Sequence, residues 1–148
     1  MNPESLIDIA LIEAQKAFNL GEVPIGAVLS QDEILISKAH NLVETTKNPA
    51  AHAEMLVLQE ASSKLGRWRL DDCTLAVTLE PCPMCMAAIR LSRLKLIIYG
   101  AGDSRFGFTQ HAPALAQETK IGPLPQILSG VKQPECTALL QDFFKLRR

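Results

Sequence analysis

The sequence predicts a three-layer α/β/α sandwich built on a mixed central sheet. Three observations carry this expectation: a helix-period segment at the start, two adjacent β-rich runs after it, and then short apolar strands alternating with helices. An initial hairpin followed by alternating strands and helices implies a sheet covered on both faces. The 148 residues fit one domain, 1–148, able to bury roughly two thirds of its unfolded surface. A chain that is 47% hydrophobic and 21% charged has ordinary globular usage, far from the signature of disorder.

Each element has a local cause. Asn2 can cap a helix with Pro3 at its first position, and Leu6, Ile9, Ala10, Ala14, Ala17 and Phe18 recur at helical spacing until Gly21. Ile25–Ser30 and Ile34–Ala39, split by Gln31, Asp32 and Glu33, read as a hairpin. A loop follows from Asn41 to Ala51. From His52 to about Leu65, Met55, Leu56, Leu58 and Ala61 support a second helix closed by Gly66. Cys73–Leu79 is a continuously apolar strand, Cys82–Leu91 a third helix opened by Pro83, and Leu96–Tyr99 a buried strand ending at Gly100. A last helix from about Pro134 to Arg148 places Cys136, Leu139, Leu140, Phe143 and Phe144 at helical spacing, with Lys145, Arg147 and Arg148 where cations suit the helix dipole.

Net charge is −1, so a nucleic-acid partner has to be gripped by a local basic patch. The first ten residues carry Glu4 and Asp8 and lack the basic start and apolar run of a secretory signal, and no stretch has the ~18 to 20 apolar residues of a membrane span. A cytoplasmic protein without membrane contact is expected. Of four cysteines, Cys82 and Cys85 form a C-x-x-C pair suited to metal or redox chemistry inside a cell, while Cys73 and Cys136 sit in apolar surroundings and read as small buried hydrophobes.

The chemistry concentrates in two places: Ala51-His52-Ala53-Glu54, and some thirty residues later Glu80-Pro81-Cys82-Pro83-Met84-Cys85. Together they make the H-x-E and P-C-x-x-C pairing of zinc-dependent nucleobase deaminases. Cys82 and Cys85 are three apart at the opening of a helix, so both sulfurs lie on one face, where unpaired N–H groups favour thiolate. His52 adds an imidazole nitrogen. Three protein ligands suit a catalytic Zn2+ whose fourth position is left to water, because a structural zinc takes four. Zinc lowers the pKa of such a water from about 15.7 to about 7. Glu54, two residues from His52, can then carry protons from water to a ring nitrogen and to departing ammonia. A thioredoxin-type redox pair would have no use for His52 or Glu54. His40 and His111 read as surface or loop histidines; Trp68 either packs at a surface or stacks on a base.

These residues and their flanks resemble the bacterial tRNA-specific adenosine deaminases of the TadA type, in the cytidine/deoxycytidylate deaminase superfamily. The resemblance runs from Glu22-Val23-Pro24-Ile25-Gly26-Ala27-Val28 through Asn41, Ala51–Glu54 and Thr78-Leu79-Glu80-Pro81-Cys82 to Gly100-Ala101 and Leu139-Leu140-Gln141-Asp142-Phe143-Phe144. It implies a cytidine-deaminase-like fold, a homodimer with one Zn2+ per subunit, and hydrolysis of the wobble adenosine of a tRNA anticodon stem-loop to inosine. It also implies Glu54 as the catalytic residue, His52, Cys82 and Cys85 as metal ligands, and substrate contacts from Asn41, Ala53, Val23, Pro24, Leu79 and Glu80. Asn41 would hydrogen-bond the flipped-out nucleotide, since an amide offers both donor and acceptor. Val23 and Pro24 would wall the base pocket or pack beside the first strand.

One segment departs from the family pattern: Ser104-Arg105-Phe106-Gly107-Phe108-Thr109 introduces two phenylalanines, which either stack on RNA or enter a dimer interface. Candidate phosphate contacts are Arg90, Arg93 and Lys95, and the tail group Lys145, Arg147 and Arg148. Two rival readings stay open. A deaminase of a free base or small nucleotide (guanine, cytosine, cytidine or dCMP) would share the metal site, and the near-neutral charge favours it, whereas the Phe143-Phe144 tail favours the RNA reading. A non-catalytic zinc module would need no Glu54.

Overall fold

The computed structural model describes residues 1–147. Helix α1 spans Pro3–Asn19, opened by Asn2, whose side-chain oxygen accepts from the Ser5 N–H at 2.8 Å. Strands β1 (Gly26–Gln31) and β2 (Ile34–His40) form an antiparallel hairpin, with Asp32 in the left-handed conformation its turn needs (φ 52°). A short helix α2 (Val43–Thr46) precedes α3 (Ala53–Leu65), which ends on Gly66 at φ 69°. Strand β3 (Cys73–Leu79), helix α4 (Pro83–Leu91) and strand β4 (Leu96–Ala101) follow. The chain closes through α5 (Phe108–His111), a 3₁₀ turn (Pro113–Gln117), strand β5 (Gln126–Leu128) and α6 (Gln133–Lys145).

The five strands lie in the order β2-β1-β3-β4-β5. β1 is antiparallel to both β2 and β3, while β3, β4 and β5 run parallel, so the sheet is mixed, as the sequence predicts. Side chains alternate across it with the period of two that a strand imposes. Ala27, Leu29, Leu75, Val77 and Ile97 pack with Val57 and Ala61 of α3 and Met86 and Ile89 of α4. Val28, Ala76 and Ile98 point the other way, onto Leu6, Ile7 and Ala10 of α1 and Cys136 of α6. Cys73 and Cys136 are buried free thiols, pushed up to about 12 and about 11 by that burial, so both are neutral hydrophobes as expected. No helix among the described residues is long and apolar enough to cross a membrane.

Elements of a single turn or less escaped the sequence reading. α2 has four residues and β5 three, too few for any period to show. What matters for chemistry is that α3 and α4 lie on the same face of the sheet, and that α4 begins just beyond the carboxyl end of β3.

α1 crosses β1 very closely at Gly26. A Cβ there would meet the Ala10 carbonyl oxygen at 1.9 Å and the Ala14 nitrogen at 2.6 Å, both backbone atoms that cannot step aside. Gly26→Ala is expected to destabilise the protein by about 1–3 kcal/mol, the usual cost of overpacking, read as a lowered urea midpoint at unchanged m-value.

Candidate active site

His52 and Cys82 occupy equivalent places, as the N-cap residues of α3 and α4. Both have extended backbones, and neither side chain caps its own helix, so imidazole and thiol turn towards each other. Cys85, one turn into α4, adds its sulfur from the same face. His52 Nδ1 lies 3.6 Å from Cys82 Sγ and 3.4 Å from Cys85 Sγ. A tetrahedral zinc with Zn–S of about 2.3 Å and Zn–N of about 2.0–2.1 Å has N···S edges of about 3.5 Å. Both nitrogen–sulfur separations therefore match those of ligands on one metal ion. All lie within 4.8 Å of one another, and no fourth His, Cys, Asp or Glu joins them among the described residues. His52, Cys82 and Cys85 can hold a metal.

Protonation follows the same geometry. Cys82 is pulled down to about 4, first by the hydrogen bond that Cys85 donates to it and then by His52, against burial. Cys85, the donor, is pushed up, and burial adds to the shift. His52 is raised by its hydrogen bond to Cys82, against burial. One thiolate thus serves as acceptor for a thiol and an imidazole, and a bound divalent cation would take the place of their protons.

Glu54 sits at the second position of α3 with 4% of its surface exposed. Burial raises its carboxyl to about 7, although a backbone N–H and the nearby His52 favour the charged form. It shares a cavity of ≈100 Å³ with His52, Cys82, Ile25, Leu79, Glu80, Asp103 and Phe106. The cavity shares Ile25, Leu79, Asp103 and Phe106 with a groove of ≈990 Å³ between the 101–106 segment and α6, which half-buried Val23 and exposed Arg105, Phe106, Phe144 and Lys145 also line.

The other expected site residues divide. Leu79 and Glu80 line the cavity, and Val23 lines the groove. Ala53 is buried at the first turn of α3, whose leading N–H groups have no intrahelical partner. Pro24 is buried and lines neither space. Asn41 is also buried; its amide donates to the Val23 carbonyl at 3.4 Å and accepts from the Val43 N–H at 3.3 Å. The two phenylalanines part company: Phe106 borders the cavity, whereas Phe108 packs on the core beside α4. Sequence reasoning missed Ile25 and Asp103, which border the cavity, and Glu22, which is buried and accepts from Glu44 and Thr45 at the start of α2. An acid next to the apolar run Val23-Pro24-Ile25 was the available signal for Glu22.

Arg90 is a correction. It is 3% exposed, and its guanidinium donates to the carbonyls of Leu115, Glu118 and Gly122, so it holds the 113–122 segment and cannot meet phosphate. Arg93 likewise donates to the carbonyls of Arg90 and Ile121. Lys95 is exposed but lines neither the cavity nor the groove. Arg147 lies over the Phe143 ring at 3.9 Å, and Arg148 lies outside the described residues. His40 pairs with Glu13, His111 contacts the Ser104 carbonyl, and Trp68 is 63% exposed; none borders the metal trio.

A family model described as MafB19-like deaminase matches residues 1–148. The chain belongs to this deaminase family. A tRNA-specific adenosine deaminase of Bacillus subtilis (strain 168) is 48% identical over 136 residues, 92% of this chain and 84% of that one. Another from Aquifex aeolicus (strain VF5) is 41% identical, covering 100% of this chain and 97% of its own. Among solved structures, one from work on A-to-I editing by tRNA:A34 deaminases superposes with a TM-score of 0.87 at 36% identity, covering 92% of this chain and 99% of that one. A guanine deaminase from Bacillus subtilis reaches 0.69 at 30% identity, over 99% and 94%. The deaminase fold expected from the sequence is the one observed.

Because the Cys85 proton has to leave before its sulfur can ligate, metal affinity in this deaminase is expected to fall as the medium is acidified, with protons released on loading. Calorimetry of metal binding in buffers of different ionisation enthalpy reads that release directly. Cys82→Ala and Cys85→Ala should each lose the metal, as read by elemental analysis.

Proposed function

We propose that this chain hydrolyses the wobble adenosine of a tRNA anticodon to inosine and ammonia, with one Zn2+ per subunit held by His52, Cys82 and Cys85 and with Glu54 as the proton carrier. The observation that carries this is Glu54 itself: a buried carboxyl, raised to about 7, in the same small cavity as the metal trio. Two sulfurs and one imidazole suit zinc among the divalent ions. When bound, zinc supplies an acidified water at neutral pH.

Glu54 does the remaining work. It accepts a proton from the attacking water as the oxygen adds to C6 of adenine, and delivers that proton to ring N1. It then transfers a second proton from the oxygen to the amino group, so that the C6–N bond breaks with ammonia leaving and the oxygen remaining as the new carbonyl. A carboxyl near 7 can both give and take protons at neutral pH, where such help is worth roughly 10² to 10⁴ in rate. Leu79 and Glu80 form a wall of the base site, with Val23 at its approach and Pro24 packed behind. The Ala53 N–H, at the open end of α3, reads the base edge. Asn41 exchanges its long bonds to Val23 and Val43 for bonds to the flipped nucleotide.

The groove favours RNA over a free base: a cavity of ≈100 Å³ holds little beyond the base, whereas the adjoining ≈990 Å³ gives room for neighbouring nucleotides beside Arg105, Lys145 and exposed aromatic rings. The named activity of the B. subtilis and A. aeolicus relatives supports the same choice. A homodimer belongs to this proposal, supported by the exposed Leu91 on α4 and Leu115 and Leu124 on the neighbouring segment.

Purified protein offered anticodon stem-loop RNA should produce inosine, and should leave free guanine, cytidine and dCMP untouched; inosine in none of the RNAs, with guanine consumed, would reverse the choice. Glu54→Ala is expected to keep its metal and its melting temperature while losing at least about a hundredfold in kcat. A fully active Glu54→Ala enzyme contradicts the proton route.

A further inference from the structure

Glu80 lies two residues before Cys82 and borders the cavity, and both of its carboxylate oxygens are engaged by backbone N–H groups of one loop. Oε1 accepts from the Asp103 N–H at 3.0 Å, and Oε2 accepts from the Thr109 N–H at 3.0 Å. Glu80 is 7% exposed, so these two bonds act where water competes little. The segment between them folds directly onto the carboxylate: a Cβ at Gly107 would lie 2.4 Å from the Glu80 carboxyl carbon and from Oε1. Inside the loop, Asp103 makes the turn, its Oδ1 accepting from the N–H groups of Arg105 at 3.0 Å and Phe106 at 3.3 Å. Phe106 at the crest is 55% exposed and belongs to the walls of both the cavity and the groove. Arg105 beside it stands over the Phe144 ring at 5.5 Å.

We propose that Glu80 is a positioning residue: its buried carboxylate ties down the 103–109 loop and so sets Phe106 at the mouth of the base pocket, governing capture of the RNA and leaving the chemical step to Glu54. The inference rests on the RNA reading of the groove, and it replaces a direct contact between Glu80 and the base. A carboxylate is required, because the loop presents two N–H donors to two separate oxygens. Gln would turn an NH₂ group towards one of them, setting donor against donor. Gly107 is the second half of the same device, since only a residue without a side chain lets the turn reach the carboxylate.

The test combines kinetics on an anticodon stem-loop RNA, amide hydrogen exchange and metal analysis for Glu80→Gln, Gly107→Ala, Phe106→Ala and the Glu80→Gln/Phe106→Ala pair. Expected are full metal content, faster exchange at Asp103 and Thr109 in Glu80→Gln, and a KM raised tenfold or more in Glu80→Gln and Gly107→Ala with kcat within about threefold. The double variant should be no worse than Phe106→Ala alone, because one residue acts through the other. Multiplying losses in the double variant, a fall confined to kcat, or unchanged exchange at Asp103 and Thr109 would each overturn the assignment. Should the wild-type protein edit no RNA, the functional reading fails, and the exchange experiment still decides whether Glu80 holds the loop.

Discussion

The structure turns on the meeting of two helix N-termini above one face of a sheet. α3 and α4 are held side by side because both bury apolar faces against the same strands, Val57 and Ala61 from one and Met86 and Ile89 from the other. Their N-cap residues, His52 and Cys82, are left at one edge with side chains that cap neither helix, and Cys85, in the first turn of α4, completes the trio of donor atoms. The unpaired N–H groups of both helices add a positive field that suits sulfur anions and whatever negative charge develops beside them.

Glu54 depends on the same arrangement in the opposite electrostatic sense. Two residues beyond His52 and closed off from water, its carboxyl is raised to about 7, while the Cys82 sulfur on the same cavity is drawn towards its anion. Groups whose environments drive their proton affinities apart are a frequent sign of acid and base roles. The sheet thus arranges two chemically different sites within one small cavity, and the groove beside it supplies room for something larger than a base.

Much of this was legible in the residues. His52, Glu54, Cys82 and Cys85 stand at spacings that only a helix start can bring onto one side, and the strands flanking them are long enough for apolar runs to show. The mixed sheet followed from a hairpin succeeded by crossovers. What stayed hidden has physical reasons: α2 and β5 are too short to carry a period, and they owe their places to Glu22 and to pairing with β4. Arg90 looked like part of a basic patch because a sequence shows charge but not burial; in the fold its guanidinium satisfies backbone carbonyls of the 113–122 segment. The hold of Glu80 on the Asp103 and Thr109 N–H groups was equally illegible, because those partners lie more than twenty residues along the chain.

The proposed chemistry requires one imidazole and two sulfurs to grip a zinc ion and leave it a non-protein ligand. X-ray absorption on protein loaded with one equivalent of zinc tests this most directly. Two sulfurs at about 2.3 Å are expected with two lighter atoms at about 2.0–2.1 Å, one of them a histidine nitrogen and the other exchangeable with solvent. A shell of four protein donors, or one containing fewer than two sulfurs, would contradict it.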